Sequence, residues 1–230
     1  MVERKKEKAG AVIVAAGKSE RMGDVDKMFA SLGGQTLLLR TTRPFQQSSL
    51  IDQVVVVVSG EREMMCRHLV AGPDWPKVSD VCLGGGRRQD SVAEGLKRLA
   101  GCDFVVIHDG ARPLVTVELI EEGLKAAKET GAAAAAVPTT DTIKVADEGR
   151  TVLETPSRQN LWAIQTPQVF SYRMITEAYK KVNDDVTDDA SLVERLGYKV
   201  KLYMGSYDNI KITTPADLAL AEILWRKYER

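Results

Sequence analysis

Cysteine is scarce in this sequence: three residues among 230, none of them in a CxxC or Cys/His metal-ligand pattern. This argues against a disulfide scaffold or a zinc site and predicts reduced thiols at Cys66, Cys82 and Cys102. The charged start MVERKKEKAG has no signal-peptide apolar region after it, and no apolar run reaches the roughly 20 residues that cross a bilayer. We therefore expect a cytoplasmic protein with no membrane partner.

An excess of either charge is lacking as well, because 32 basic residues balance 32 acidic ones. Proteins that bind nucleic acid usually rely on a broad basic field, often with aromatic residues interleaved, and neither feature is present. We therefore expect no nucleic-acid partner, although a local cationic pocket is compatible with this composition. The hydrophobic content of 44% is typical of a globular enzyme.

Apolar runs and turn signals alternate along the whole chain. Apolar runs without polar alternation predict strands covered on both faces, and amphipathic stretches between them predict helices. The predicted strands cover 11–16, 52–59, 78–83, 104–108, 132–137, 162–170 and 199–204. The predicted helices cover 36–47, 61–70, 117–129, 172–181 and 188–196, with two more that begin at Ser91, where Glu94 would complete a capping box, and at Thr214-Pro215.

This alternation predicts one α/β domain spanning 1–230, built on a single doubly wound, mostly parallel sheet. The stretch 143–157 departs from it, since IKVA and TVLET flank the turn DEGR as two short strands would. We predict a polar β-hairpin there, protruding from the domain as an arm. In a doubly wound sheet the ligand lies at the carboxyl ends of the strands, so the site is expected at those ends.

The stretch AVIVAAGKSERMGDVDKMF, residues 11–29, has the strongest functional signal. An apolar run ends at Gly17 and enters a polar loop with cations at Lys18, Arg21 and Lys27. The loop is neither a Walker A motif nor a GxGxxG motif, yet its amides and cations suit a polyphosphate at a strand end.

Three later stretches supply further chemistry, each with an ordinary structural explanation beside it. GGGRRQDS, residues 84–91, can bring backbone close to a planar base, or can simply be a turn and a helix cap. Asp109 in IHDGARP can hold a hard cation, or can be a turn former after a strand. Lys211 in DNIKITTP can meet a phosphate, or can be a solvated surface charge.

Taken together and in order, these stretches resemble one family. The motifs are AAGxxxRM, GGxxRxxSVxxGL, VxIHDGARP, PxxDTIK, RxNLWAIQTPQxF, TDDASLVE and DNIKITTPxDL. They resemble the 2-C-methyl-D-erythritol 4-phosphate cytidylyltransferase family of the non-mevalonate isoprenoid pathway, from Ala11 to about Leu224. The resemblance implies a Rossmann-like nucleotidyltransferase fold. It also implies transfer of CMP from CTP to that sugar-alcohol phosphate, with Mg²⁺ as cofactor.

The resemblance also implies roles for individual residues. Catalytic roles fall on Arg21, Lys27 and Lys211, and the metal ligand is Asp109. The CTP-binding positions are Ala15, Ala16, Gly17, Gly85, Gly86, Ser91 and Gly110. The positions around the acceptor are Arg112, Thr142, Arg158 and Thr166. The hairpin matches an arm that clasps a second subunit, which implies a homodimer. The family commonly has Pro-Lys-Gln around the loop lysine, where this sequence has Asp26-Lys27-Met28.

Three other functions stay open at this stage. Ribitol-5-phosphate cytidylyltransferases share most of these motifs and differ in the acceptor. A second alternative is a nucleotide-binding regulatory module without catalysis. The presence of the complete set Arg21, Lys27, Asp109 and Lys211 argues against it. A nucleic-acid-binding protein is disfavoured by the balanced charge.

Overall fold

The computed structural model describes residues 7–17, 26–182 and 184–228. In chain order, the described strands are β1 Ala9–Ala15, β2 Ser31–Leu32, β3 Gln35–Thr36, β4 Gln53–Val58, β5 Val78–Leu83, β6 Phe104–Asp109, β7 Ala132–Pro138, β8 Val145–Ala146, β9 Val152–Glu154, β10 Trp162–Ser171 and β11 Lys201–Met204. The described α-helices are α1 Leu37–Gln47, α2 Glu63–Leu69, α3 Arg88–Arg98, α4 Val117–Thr130, α5 Tyr172–Lys181, α6 Asp189–Arg195 and α7 Pro215–Tyr228. Short 3-10 turns cover Lys27–Phe29, Gly60–Arg62 and Arg158–Asn160.

Seven of these strands form the central sheet, in the order β11-β7-β10-β6-β1-β4-β5. β1 pairs in parallel with β4 and β6, and β4 with β5, while β10 runs antiparallel to both β6 and β7. The prediction of an α/β fold on a mostly parallel sheet is therefore confirmed. The carboxyl ends of β1, β4, β5 and β6 lie at one edge of the sheet, where the site was expected.

Helices cover both faces of the sheet because the strand residues are apolar on both sides. Ala11 and Ile13 of β1 belong to a core shared with α1, α4 and α7, whereas Val12 belongs to a second core shared with α3, α5 and α6. Gly95 of α3 allows the helix to lie close to the sheet, since a Cβ there would come within 2.5 Å of Val12. No described helix combines the length and apolarity that crossing a bilayer requires.

Residues 61–70 and 31–36 differ from the sequence-based prediction. Residues 61–70 form the 3-10 turn Gly60–Arg62 followed by α2, rather than one helix. An unpredicted hairpin, β2–β3, turns at Gly33 and Gly34, which both have positive φ (55° and 79°). The predicted arm is confirmed as a hairpin, although β8 and β9 are shorter than the two strands expected. All three cysteines are free and buried.

Candidate active site

Two adjoining cavities open at the carboxyl edge of the sheet. The first has a volume of about 720 Å³ and the second of about 350 Å³. Arg88, Asp109 and Lys211 line both cavities, and we call these three residues the junction. Molecules bound in the two cavities would therefore meet at three charged groups.

The first cavity brings together most of the predicted nucleotide-binding positions. Those that line it are Ala15, Ala16, Gly17, Gly85, Gly86 and Ser91. The predicted catalytic residues Lys27 and Lys211 and the predicted metal ligand Asp109 line it too. The outermost of these positions, Ala15 and Lys211, lie 196 residues apart (211 − 15). The parallel sheet assembles them because their strands or loops end at the same edge.

The glycine loop after β5 is shaped by Ser91. The Ser91 hydroxyl is buried, accepts a hydrogen bond from the Gly85 amide at 3.2 Å and donates one to the Arg87 carbonyl at 3.2 Å. Gly85 also lies so close to Asp90 that a Cβ would come within 2.3 Å of the Asp90 Cβ. The loop backbone is therefore held against the start of α3, and it leaves room in the cavity for a planar group.

The predicted start of α3 at Ser91, with a Ser91/Glu94 capping box, is wrong. The helix begins at Arg88, and its N-cap is Arg87, whose amide donates to the Asp90 carboxylate at 3.1 Å. Asp90 satisfies the otherwise unpaired Arg87 amide, four residues before the Ser91 amide that Glu94 would have satisfied, and this sets the helix start. The earlier start places Arg88 at the first helical position, at the junction.

Gly110 does not line either cavity, although it was predicted to contact the nucleotide. Its amide donates to the Val14 carbonyl at 2.8 Å, and a Cβ would come within 3.0 Å of that oxygen. The neighbours Asp109 and Ala111 line the first cavity instead. In the described structure, Gly110 acts by allowing β6 to leave the sheet close to β1.

Lys27 opens the 3-10 turn Lys27–Phe29, and Asp26 caps that turn by accepting a hydrogen bond from the Met28 amide at 3.1 Å. Asp26 also pairs with buried Arg62, which donates to the carbonyls of Ala15 and Gly17 at 2.9 Å each. The aspartate found in place of the family's proline therefore connects the lysine turn to the end of β1. Arg21 lies outside the described residues.

Asp109 is the charged centre of the junction. Its Oδ2 lies 2.7 Å from Lys211 Nζ, its Oδ1 lies 3.1 Å from Arg88 Nε, and Arg112 Nε lies 3.8 Å from Oδ2. Burial alone would raise the pKa of Asp109, but the cations Arg88, Lys211 and Arg112 hold that pKa well below its usual range. The group is therefore a carboxylate at neutral pH.

Sequence analysis did not identify Arg88 as a site residue. Its guanidinium bridges two carboxylates, Asp109 and the fully buried Asp189, the latter at 2.8 Å from Nη1. The adjacent Arg87 instead pairs with exposed Asp90 and Asp185. The motif GGxxRxxSV was a signal for Arg88, but nothing local in the sequence shows which arginine of the pair points inward.

The second cavity contains two of the four predicted acceptor residues, Arg112 and Thr166. Thr166 is buried, and its Oγ1 accepts a hydrogen bond from the Asp109 amide at 3.0 Å. Arg112 donates to the Asn209 carbonyl at 2.7 Å, two residues before Lys211. The lining also includes polar side chains from β10, from α6 and from the segment just before α6, namely Gln165, Gln168, Thr187, Asp188, Ser191 and Glu194. Its apolar part is Ala134, Ile164, Ala190, Val200 and Leu202.

Thr142 and Arg158 are exposed, and neither lines the first or the second cavity. Arg158 donates to the Thr140 carbonyl at 2.8 Å, at the base of the arm. These two predictions are not met by one copy of the chain, and they stay predictions for a site that includes a second copy.

His108 is fully buried and faces neither cavity. Its Nε2 lies 3.1 Å from the Arg112 carbonyl, and burial lowers the pKa of the ring to about 4. A neutral imidazole in this position supports the loop after β6. No described residue lining either cavity is a histidine or a cysteine.

The residues of the first cavity fit a divalent cation that arrives with polyphosphate. Asp109 is the single carboxylate among its described lining residues, and no three His, Cys, Asp or Glu side chains cluster in the described chain. Mg²⁺ commonly binds one or two carboxylates and completes its coordination with substrate phosphates and water. An ionised carboxylate has about four acceptor sites, so the close contacts from Arg88 and Lys211 leave capacity for a cation.

Comparisons with known proteins agree with this geometry. A family model described as 2-C-methyl-D-erythritol 4-phosphate cytidylyltransferase matches residues 9–227. A protein of that name from Dehalococcoides mccartyi is 51% identical over 221 residues, which cover 96% of this chain and 97% of the relative. Another, from Alkaliphilus oremlandii, is 46% identical and covers 94% of both chains.

Solved structures are similar as well. The 4-diphosphocytidyl-2C-methyl-D-erythritol synthase from Anaerococcus prevotii superimposes with a TM-score of 0.86 at 30% identity, covering 96% of this chain and 100% of that one. The 2-C-methyl-D-erythritol 4-phosphate cytidylyltransferase from Thermus thermophilus gives a TM-score of 0.74 at 34% identity, covering 94% and 98%.

Proposed function

The chain belongs to the 2-C-methyl-D-erythritol 4-phosphate cytidylyltransferase family, and we propose which substrate each of its two cavities binds. The enzyme transfers CMP from CTP to 2-C-methyl-D-erythritol 4-phosphate and releases pyrophosphate, a step of isoprenoid precursor synthesis. CTP occupies the first cavity and the acceptor occupies the second. The observation that supports this division is the junction, since Arg88, Asp109 and Lys211 line both cavities.

The reaction needs no general base. An oxygen of the acceptor phosphate attacks the α-phosphorus of CTP, and the bond from that phosphorus to the oxygen bridging to the β-phosphate breaks. The second pKa of a phosphate monoester is near about 6, so the attacking group is already mostly ionised at neutral pH. The composition of the described cavity lining, without histidine or cysteine, is consistent with this chemistry.

The barrier is the approach of two anions in line, and the cations of the site lower it. Lys211 is at the junction, where the attacking oxygen and the α-phosphate would meet, and Lys27 lines the CTP side. Preorganised cations at these points stabilise charge that develops on the transferring group. Arg21 is proposed to act with Lys27, and Arg112 and Thr166 to bind the acceptor.

Asp109 is proposed to hold Mg²⁺ together with the CTP phosphates. When bound, the ion neutralises phosphate charge and orients the triphosphate. The protein's own contribution is an ionised, buried carboxylate with a fixed orientation. Thr166 helps to fix it, because its hydroxyl oxygen accepts from the Asp109 amide.

The arm is proposed to clasp a second copy of the chain. Its apolar side chains Ile143, Val145, Val152 and Leu153 are 40 to 66% exposed, which is unusual for a short hairpin in solvent. In such a dimer, Thr142 and Arg158 would complete the second cavity of the partner. We further propose that the chain acts as one domain, 1–230, in the cytoplasm.

The arm proposal is tested by sedimentation of Val152→Asp/Leu153→Asp beside Met64→Asp. Met64 is 85% exposed on α2, so Met64→Asp is a control that also replaces an exposed apolar side chain with a charged one, away from the arm. The arm variant should sediment as a monomer while the control and the parent protein sediment as dimers. A monomeric parent protein would overturn the proposal.

The transfer itself is tested by ³¹P NMR of a mixture of protein, CTP, Mg²⁺ and 2-C-methyl-D-erythritol 4-phosphate. Two coupled diphosphate resonances and free pyrophosphate should appear together. Asp109→Asn should slow the appearance of both products by about 100-fold or more. Unchanged substrate spectra with the parent protein would contradict the assignment.

A further inference from the structure

A series of polar contacts, with buried carboxylates at Asp189 and Asp109, runs from helix α5 to the junction. Tyr179 of α5 donates its hydroxyl to Asp189 Oδ1 at 2.6 Å, and Asp189 Oδ2 lies 2.8 Å from Arg88 Nη1. Arg88 Nε then reaches Asp109 Oδ1 at 3.1 Å. The four residues belong to α5, α6, α3 and β6, so these contacts connect three helices to the edge of the sheet.

Burial of the Asp189 carboxylate costs free energy. Its side chain is 1% exposed, and a buried carboxylate is unfavourable unless charged and hydrogen-bonding partners surround it. Arg88 and Tyr179 are those partners. Burial raises the pKa of the Tyr179 hydroxyl, and the Asp189 carboxylate raises it further, so the hydroxyl stays protonated and can only donate to that carboxylate.

The guanidinium of Arg88 has two carboxylate partners, and each uses a different nitrogen. The Asp189 contact holds Nη1 from the buried side, which leaves Nε directed at Asp109 Oδ1. Asp109 Oδ2 is then the oxygen that meets Lys211 at the opening between the cavities. A lysine in place of Arg88 could not make both contacts from fixed positions, because its ammonium is a single point of charge.

Contacts that do not involve Arg88 fix the start of α6, and they hold Asp189 in place. Asp188 caps this helix through the Ser191 amide, and Gln168 of β10 donates to Asp188 Oδ2 at 2.8 Å while it accepts from the Ala190 amide at 2.9 Å. Asp188, Ala190 and Ser191 also line the second cavity. The anchor for Arg88 is thus part of the wall that would face the acceptor.

We infer that Tyr179 and Asp189 are positioning residues for the transfer reaction, because they fix Arg88 and through it the orientation of the Asp109 carboxylate. Neither residue lines the first or the second cavity. The inference rests on the proposed role of Asp109 in holding Mg²⁺ with the CTP phosphates. It also links the wall of the second cavity to the carboxylate of the first through a continuous set of contacts.

The test compares Tyr179→Phe and Asp189→Asn with Tyr172→Phe. Tyr172 is a matched control because it lies on the same helix and donates its hydroxyl to the Leu96 carbonyl at 3.2 Å, away from Asp109. Residues that orient a metal ligand typically contribute 10- to 100-fold to metal affinity or activity. Asp189→Asn should therefore lower kcat by about 10-fold or more, and Tyr179→Phe should lower it in the same direction by less.

A second readout does not depend on turnover. Calorimetric titration with CTP is carried out once with Mg²⁺ and once with chelator. Both α5–α6 variants should lose part of the gain in CTP affinity that Mg²⁺ provides, while their affinity without Mg²⁺ matches that of the parent protein. Tyr172→Phe should match the parent in both titrations. A general loss of folding would instead weaken CTP binding in both conditions.

Two results would separate failure of this inference from failure of the proposed function. If the parent protein forms product but Tyr179→Phe equals Tyr172→Phe in kcat and in both titrations, the inference is overturned and the function stands. If the parent forms no product, the proposed function fails, and the two titrations still decide whether Tyr179 and Asp189 position Asp109. Because Tyr179→Phe removes one oxygen and keeps the ring, it decides the matter even if Asp189→Asn does not fold.

Discussion

Lys211→Met is the substitution whose effect follows most directly from the junction. Lys211 Nζ lies 2.7 Å from Asp109 Oδ2, and the side chain is 42% exposed. Two unit charges 4 Å apart attract by about 4 kcal/mol at an effective dielectric constant of 20. Water at a partly exposed lysine screens some of this. We therefore assign about 2.7 kcal/mol to its stabilisation of the developing charge, the lower end of the range for one preorganised group.

That energy corresponds to a fall in kcat of about 10²-fold. Methionine keeps most of the apolar stem of the lysine and removes its charge. Pyrophosphate release at saturating CTP and acceptor measures kcat, and a CTP series measures KM. Because the charge is needed most in the transition state, kcat should fall much more than KM rises.

The control is Lys227→Met, which removes the same charge from α7, where Lys227 pairs with Asp208 at 3.4 Å and is 60% exposed. Its kcat should stay within about twofold of the parent, as is typical of exposed ion pairs. Equal losses in the two variants would mean that net charge, rather than the junction, is responsible. A Lys211→Met enzyme with normal kcat and a raised KM would refute the reasoning, since Lys211 would then only bind substrate.

Three further predictions concern single side chains. Lys27→Ala should lower turnover by about 10²-fold or more in the same assay, and near-normal turnover would remove Lys27 from the catalytic set. Thr166→Val leaves the buried Asp109 amide without its acceptor, so urea unfolding should show a loss of about 1–3 kcal/mol; an unchanged midpoint would contradict the contact. Burial raises the pKa of the Cys66 thiol to about 11, so a thiol reagent at pH 8 should label it only after unfolding, and rapid labelling of the native protein would contradict its burial.

The sequence predicted the sheet well because its strands are strongly apolar. QVVVVV at β4 and FVVIHD at β6 have no plausible alternative to buried strands, and their ends then locate Asp109. Because ligands bind at the carboxyl ends of the strands in such a sheet, the strand order alone predicted that Gly17, Gly85 and Asp109 lie close together. Lys211 followed from the motif around it.

The contacts that fix the junction could not be predicted in the same way. Arg88 and Asp189 are 101 positions apart, and the pattern GGGRRQDS contains two arginines that look alike locally. Ser91 with Glu94 satisfies the usual capping pattern, but Asp90 satisfies the Arg87 amide first. The choice between these two helix starts depends on how closely Gly85 approaches Asp90. That distance is a property of the folded chain.

The role of Asp26 is another case. From the sequence, an acid beside the loop lysine is simply a departure from the family's proline. In the folded chain it pairs with Arg62 and caps the turn that carries Lys27. Arg62 itself gave no signal in the sequence, because an arginine in the stretch SGEREMM resembles any surface charge.

The most direct test of the proposed function is steady-state pyrophosphate release with CTP and Mg²⁺, measured for 2-C-methyl-D-erythritol 4-phosphate beside ribitol 5-phosphate at equal concentrations. We predict a kcat/KM about 100-fold or more higher for the methylerythritol phosphate. Equal or greater turnover with ribitol 5-phosphate would contradict the acceptor assignment, and release with neither would contradict the division of the reaction between the two cavities.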